Sequence, residues 1–254
     1  MQKTVLFTSL FLMLCCAACV PRQLSKPYDE KKVSYLYSKS VGDAAKPQPW
    51  EIKKDLLKIS SATPDLVWKS MNGEQYVLVS SWTKDTTYYK NDAQTGTYNT
   101  TNYPIWVTAV PELQQLCQQK KFGRKEGLQL RLKQLLGLPP NVEKNYFVEF
   151  WVRPQDLFRP CLDSGVSNVN CTLDFPDSET DDHKKWINEL RLKSYYNSAW
   201  DQNYPWTQLG YTYDWHPKNK RHIGLSEFVI GENKEVIVHR IVATDDYCEL
   251  AKKK

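Results

Sequence analysis

Tyr146-Phe147-Val148-Glu149-Phe150-Trp151-Val152-Arg153 alternates along its length. Successive side chains of an extended strand point to opposite faces. Tyr146, Val148, Phe150 and Val152 therefore share one face, and Phe147, Glu149, Trp151 and Arg153 share the other. The first face is expected in the core. Upstream, Pro111 suits a first helical turn, with Leu113, Leu116 and Cys117 on one buried face. Leu128, Leu132, Leu135 and Leu136 mark a second helix that stops at Gly137, ahead of Pro139 and Pro140. Farther upstream, residues 51–60 read as a short helix, 76–82 and 105–110 as strands, and 83–102 as a polar loop that either flaps over a site or simply joins strands.

Downstream, Thr180 to Asp182 cap a helix that runs through Trp186, Ile187 and Leu190. Residues 225–230 and 235–242 read as a hairpin turning at Gly231, Glu232, Asn233 and Lys234. Strands and helices that mix without a βαβ rhythm predict an α+β fold, a single domain over residues 50–250 with a largely antiparallel sheet and several helices. Residues 19–49, polar and interrupted by Pro21, Pro27, Pro47 and Pro49, read as a tether, and 251–254 as a basic tail.

At the front of the chain, Lys3 precedes an apolar run from Thr4 to Leu14, followed by Cys15, Cys16, Ala17, Ala18 and Cys19. This is the layout of a secretory signal over residues 1–18, shorter than the roughly 18 apolar residues that a spanning helix needs. Cys16-Ala17-Ala18-Cys19 resembles the lipobox of bacterial lipoproteins, in which small residues precede a cysteine that receives the lipid. Cys16 stands where that family usually has Leu. The resemblance implies a palmitate-bearing membrane anchor at Cys19 and an extracytoplasmic place in the cell envelope, on the outer or the cytoplasmic membrane. Simple cleavage after Ala18 is the alternative.

Removing Lys3 with the leader leaves 33 Lys and Arg against 29 Asp and Glu. That mild excess, concentrated at Lys218, Lys220, Arg221 and the tail, is no nucleic-acid footprint. Cys117, Cys161, Cys171 and Cys248 form an even set in an exported chain, and the expected disulfides are Cys161–Cys171 and Cys117–Cys248.

Eight aromatics fall within residues 195–215: Tyr195, Tyr196, Trp200, Tyr204, Trp206, Tyr211, Tyr213 and Trp215. At the chain's 13% aromatic content about three are expected. Such rings stack on sugars or dock partners, and Trp200, Trp206, Tyr211, Tyr213 and Trp215 are the candidate binding residues. Alternatively Tyr211, Tyr213 and Trp215 are ordinary residues of a half-buried strand. Arg153, Asp156 and Arg159 at three-residue spacing offer an anion pocket or a structural ion pair. Asp214, His216 and His222 lack a recognisable three-ligand spacing, and no metal is expected.

No G-x-S-x-G elbow and no Gly-rich phosphate loop occurs, and no cofactor is expected. The run from Gly224 to Val242, with Glu227 on a strand, resembles the last strands of ADP-ribosyltransferases and NAD-glycohydrolases. That resemblance implies a catalytic carboxylate at Glu227 and a strand arginine at Arg153, although the family's Ser-Thr-Ser element has no counterpart. The leading expectation is a non-enzymatic envelope protein that binds a glycan or a protein partner through its aromatic surface. The alternatives are an enzyme cleaving a glycosidic or N-glycosidic bond, and a structural envelope component.

The leader reading is checked by mass spectrometry of protein from bacterial membranes: diacylated Cys19 is expected, with Cys19→Ala releasing the domain in soluble form. A soluble wild type with unmodified Cys19 contradicts it.

Overall fold

The computed structural model describes residues 29–90, 96–101, 103–119, 122–123, 125–199 and 202–249. Cys19, Trp200 and the basic tail lie outside the described residues. The described residues form an α+β domain with six helices and a sheet of eight strands that pair antiparallel.

The first helix, α1 (Glu30–Ala44), falls in the stretch expected to be a tether and corrects that expectation. The Asp29 side chain caps it, accepting from the Lys31 N–H at 3.1 Å. Few apolar residues mark the helix, because tertiary contacts hold it. Tyr37 is buried, its hydroxyl donating to the Asn203 carbonyl at 2.7 Å and its ring meeting Trp215 edge-on at 5.7 Å. Tyr213 donates to Asp43 at 2.7 Å. Residues 51–60 are likewise no helix: a 3₁₀ turn at Pro49–Glu51 leads into extended chain. There the backbone N–H groups of Leu56, Leu57 and Ile59 bond to Val169 O, Ser226 Oγ and Val166 O rather than within a helical turn.

The strands β1 (Trp68–Met71) and β2 (Glu74–Thr83) lead to a short α2 (Thr87–Lys90) and β3 (Thr97–Asn99). Among the described residues of the expected flap, Tyr89 packs on Phe150 at 5.4 Å and on Tyr98 at 4.9 Å. Next come β4 (Ile105–Ala109), α3 (Glu112–Cys117), α4 (Leu128–Leu135) and β5 (Tyr146–Val152). Gly137, at φ 66°, ends α4 in the left-handed region, and the Leu138 N–H closes back on the Lys133 carbonyl at 2.9 Å. The chain finishes with β6 (Leu157–Phe158), α5 (Asp181–Tyr195), β7 (Tyr211–Tyr213), β8 (Ile223–Ser226), β9 (Phe228–Ile230), β10 (Glu235–Ala243) and α6 (Thr244–Tyr247). Thr180 caps α5 through the His183 N–H at 3.2 Å, as the sequence indicates.

Strand order is β3-β10-β5-β2-β4-β9-β6, with β1 also on β2, while β7 and β8 form a separate pair. The expected hairpin is thus not one: β9 pairs with β4 and β6, and β10 with β3 and β5. In a flat sheet β9 and β10 would stand four strand spacings apart, about 19 Å. The linker from Ile230 to Glu235 reaches about 17 Å when fully stretched. The sheet must curl to bring its two sides together, and Thr100 fastens the closure. Its Oγ1 donates to Gly231 O at 2.6 Å and accepts from the Lys234 N–H at 2.9 Å.

Val77, Val79, Val107, Val148, Phe150, Val152, Phe228 and Ile230 pack together on the inside of the curl. The second face of β5 is also buried. Phe147 stacks against Trp82 at 5.5 Å and Tyr247 at 4.1 Å, under Leu113, Leu132 and Leu135 of α3 and α4. Glu149 on that face is fully buried, held by both Arg240 Nε and Nη2, at 2.6 and 3.0 Å, and by Gln114 at 3.0 Å. Cys117 bridges Cys248 and Cys161 bridges Cys171, with Cα separations of 5.6 and 6.2 Å, the pairing expected from spacing.

Trp215 is 2% exposed and Tyr196 is 74% exposed. Trp215→Ala is expected to cost about 3–5 kcal/mol in urea unfolding, because it empties a packed site. Tyr196→Ala is expected to stay within about 0.5 kcal/mol of wild type.

Candidate functional site

Glu112, Gln115, Leu116 and Gln119 recur at intervals of three, one and three, so they share one face of α3 and the turn after it. Leu113, on the other face, is buried against the Phe147 cluster and fixes the rotation of the helix. The Cys117–Cys248 bridge ties α3 to the end of α6. Opposite lies α4, pinned by Leu132 and Leu135, with Arg131 toward the gap. The Asp214–Asn219 loop and Ile223, Gly224 and Leu225 of β8 complete a cleft of about 570 Å³. This volume is within the ordinary range for small-molecule sites.

Arg131 and Asp214 form a two-pronged pair in one wall of the cleft, Nη1–Oδ1 2.9 Å and Nη2–Oδ2 2.7 Å. Asp214 also accepts from Asn219 Nδ2 and from the His216 N–H, each at 3.0 Å. Glu112 differs. Its Oε1 accepts weakly from the Ser226 N–H at 3.5 Å, and its Oε2 is sealed from solvent with no hydrogen-bond partner among the described residues. Burial pushes this carboxyl up to about 7, against the lowering influence of the Ser226 N–H, Lys53 and Arg159. A carboxyl in this range serves either as hydrogen-bond donor or as acceptor near neutral pH.

The aromatic stretch does not form an exposed platform. Trp206, Tyr211, Tyr213 and Trp215 are buried, and their polar edges bond to backbone or to neighbours inside the fold. Trp206 donates to Pro160 O at 3.0 Å, Trp215 to Leu138 O at 3.1 Å, and Tyr211 to Glu51 O at 2.8 Å. These rings anchor α1, α4 and the loops. Tyr196 and Tyr204 remain exposed.

Glu227 and Arg153 do not converge. Glu227 precedes β9, and the Gly231 end of that strand bonds to Asp156 O, beside Arg153. Four residues of extended chain put these ends about 13 Å apart. Arg153 is instead paired with Asp156 at 2.7 Å and Glu74 at 3.5 Å. Burial alone pushes the half-buried Glu227 carboxyl up to about 8.

Arg159 turns away from Arg153 and Asp156 into the interior, so the three make no anion pocket. It is fully buried and donates to Leu57 O at 2.7 Å, Asn168 O at 3.1 Å, and Val166 O and Gly210 O at 3.3 Å. His222 stacks on Tyr213 at 4.7 Å, and His216 approaches Glu126 at 3.4 Å. No group of three potential metal ligands forms among the described residues.

Sequence reasoning passed over Glu112 and Arg131. The stripe at 112, 115, 116 and 119 was the available signal, but an acid in a first helical turn is ordinary, and Arg131 meets Asp214 only through an 83-residue separation.

The charge state of Glu112 is readable in stability. Its folded value lies above its ordinary 4.5, so its stabilising contribution is full below about 4.5 and is lost as pH rises through about 7. Melting curves of Glu112→Gln and wild type are expected to coincide near pH 4.5 and to separate by pH 8, with the variant the more stable. Parallel curves across that range contradict the assignment.

No family model, curated protein or solved structure matches this chain.

Proposed function

We propose that this chain is an exported envelope protein, held to a membrane by lipid on Cys19, whose domain binds a glycan in the cleft between α3 and α4. The observation that carries the reading is the cleft itself, about 570 Å³ and lined by both amide and apolar side chains. Gln115, Gln119 and Asn219 supply donors and acceptors for hydroxyls, and Leu116 and Leu225 supply surface for the carbon faces of a sugar ring. The Arg131–Asp214 pair keeps one wall rigid, so little ordering is lost on binding. The two disulfides point to an oxidising, extracytoplasmic location, and no described helix is long and apolar enough to cross a membrane.

A concave site favours a small polar ligand over a flat protein partner. With the central aromatics buried, the ligand surface moves from residues 195–215 to the α3 face.

The test is a glycan array probed with the mature chain and with Gln115→Trp. Gln115 is exposed on the cleft wall, so a tryptophan there fills the opening without disturbing the core. The wild type is expected to retain at least one glycan class that the variant loses by about tenfold, with melting temperatures unchanged. A wild type that retains none, or retention indifferent to the plug, overturns the proposal.

A further inference from the structure

The helix α1 buries Val33, Tyr37, Ser40 and Ala44, which recur at four, three and four residues and so share one face. At about 3.6 residues per turn, Lys31, Lys32, Tyr35 and Lys39 fall together on the opposite side, in an arc of roughly 100°. All four are exposed, Tyr35 at 66%. Lys46, also exposed, follows in the turn that closes the helix, its N–H bonded to Asp43 O at 3.1 Å. None of these lysines has an ion pair among the described residues.

The nearby acids do not neutralise the stripe. Asp29 is spent on the N-cap, and Asp43, at the border of the arc, turns inward to accept from Tyr213 at 2.7 Å. Glu30 falls on the flank outside the arc. Trp50, just beyond, is 76% exposed. Lysines grouped around an exposed tyrosine, with an exposed tryptophan close behind, combine charge that anionic headgroups attract with rings that rest at headgroup level.

We propose that α1 docks this domain against a membrane surface carrying anionic phospholipid, an inference whose choice of partner rests on the lipid anchor at Cys19 proposed above. Cys19 lies ten residues ahead of Asp29, a reach of at most about 36 Å. A lipid there holds the stripe within that distance of the bilayer, so a weak attraction acts at high effective concentration. A soluble acidic partner matches the lysines but not their place at the root of the anchor. No residue of α1 lines the cleft, so the two surfaces are separate.

The experiment is equilibrium sedimentation of the mature chain carrying Cys19→Ala, and so free of lipid, with vesicles of phosphatidylcholine with and without phosphatidylglycerol. Vesicles containing phosphatidylglycerol are expected to bind about a hundredfold tighter. The double variant Lys32→Gln, Lys39→Gln is expected to lose about 25-fold, roughly fivefold for each charge removed from the surface. Lys58→Gln with Lys69→Gln removes the same charge from exposed positions around β1 and is expected to stay within about threefold of the parent. Melting temperatures of both double variants are expected to match the parent, since all four side chains are exposed. Equal binding to both kinds of vesicle, or equal losses from the two double variants, overturns the proposal. Diacylated Cys19 in cells beside a lipid-free chain that ignores phosphatidylglycerol overturns this inference and spares the anchor. Unmodified Cys19 beside a lipid-free chain that still binds through Lys32 and Lys39 removes the anchor and supports the docking face.

Discussion

The guanidinium of Arg159 is a contact on which three separate segments of this fold depend. It is fully buried and surrounded by backbone carbonyls from three stretches of chain: Leu57 before the first strand, Val166 and Asn168 in the loop closed by Cys161–Cys171, and Gly210 ahead of β7. It lies 4.5 Å over the Phe228 ring. Burial lowers it only to about 10, so the charge persists at neutral pH and each carbonyl bond is charge-assisted. The geometry tolerates no bulk at Gly210, where a Cβ would lie 2.7 Å from both Arg159 Cδ and Cys171 Sγ. Gly210 also sits at φ 75°, a conformation that side chains disfavour. One cation thus joins three irregular segments that have no ladder of their own.

The curled sheet around Phe150 and Phe228 has a second consequence for the site. Because the outer face of β5 is covered rather than solvated, α3 and α4 must lie on it, and each then has one face in the core and one outside. Leu113 and Glu112 are neighbours in sequence but serve these two faces. The cleft is the space left where α3, α4 and the β8 segment each satisfy their own packing.

Much of this was legible locally. The Thr180 cap, the stop at Gly137, the alternation of β5 and the even cysteine set all act over a few residues or through chemistry independent of distance. What failed was governed by long-range contacts. Residues 51–60 have helical composition, yet their N–H groups find partners more than a hundred residues away at Val166, Val169 and Ser226. In α1, Val33 and Tyr37 are too few to announce an amphipathic face; their partners Trp215 and Asn203 do. Residues 225–242 hold the end of β8 and the strands β9 and β10, but the four-residue linker before β10 reads as a turn unless the curl of the sheet is known. The aromatic density of Trp206, Tyr211, Tyr213 and Trp215 reflected packing, because these buried rings bond to Pro160 O, Glu51 O, the Asp43 carboxylate and Leu138 O on other segments.

The position of β10 in the sheet bears on how the chain is made. It lies between β3 and β5 and pairs with β5 along nearly its whole length, yet it is the tenth strand in chain order. The Thr100 closure and the partner of Cys117 wait for the same late segment. A nascent chain that has not yet supplied β10 leaves both β5 and β3 with an unpaired side, so the sheet cannot settle early. Completion of the sheet and of the Cys117–Cys248 bridge therefore both fall to the segment after residue 234.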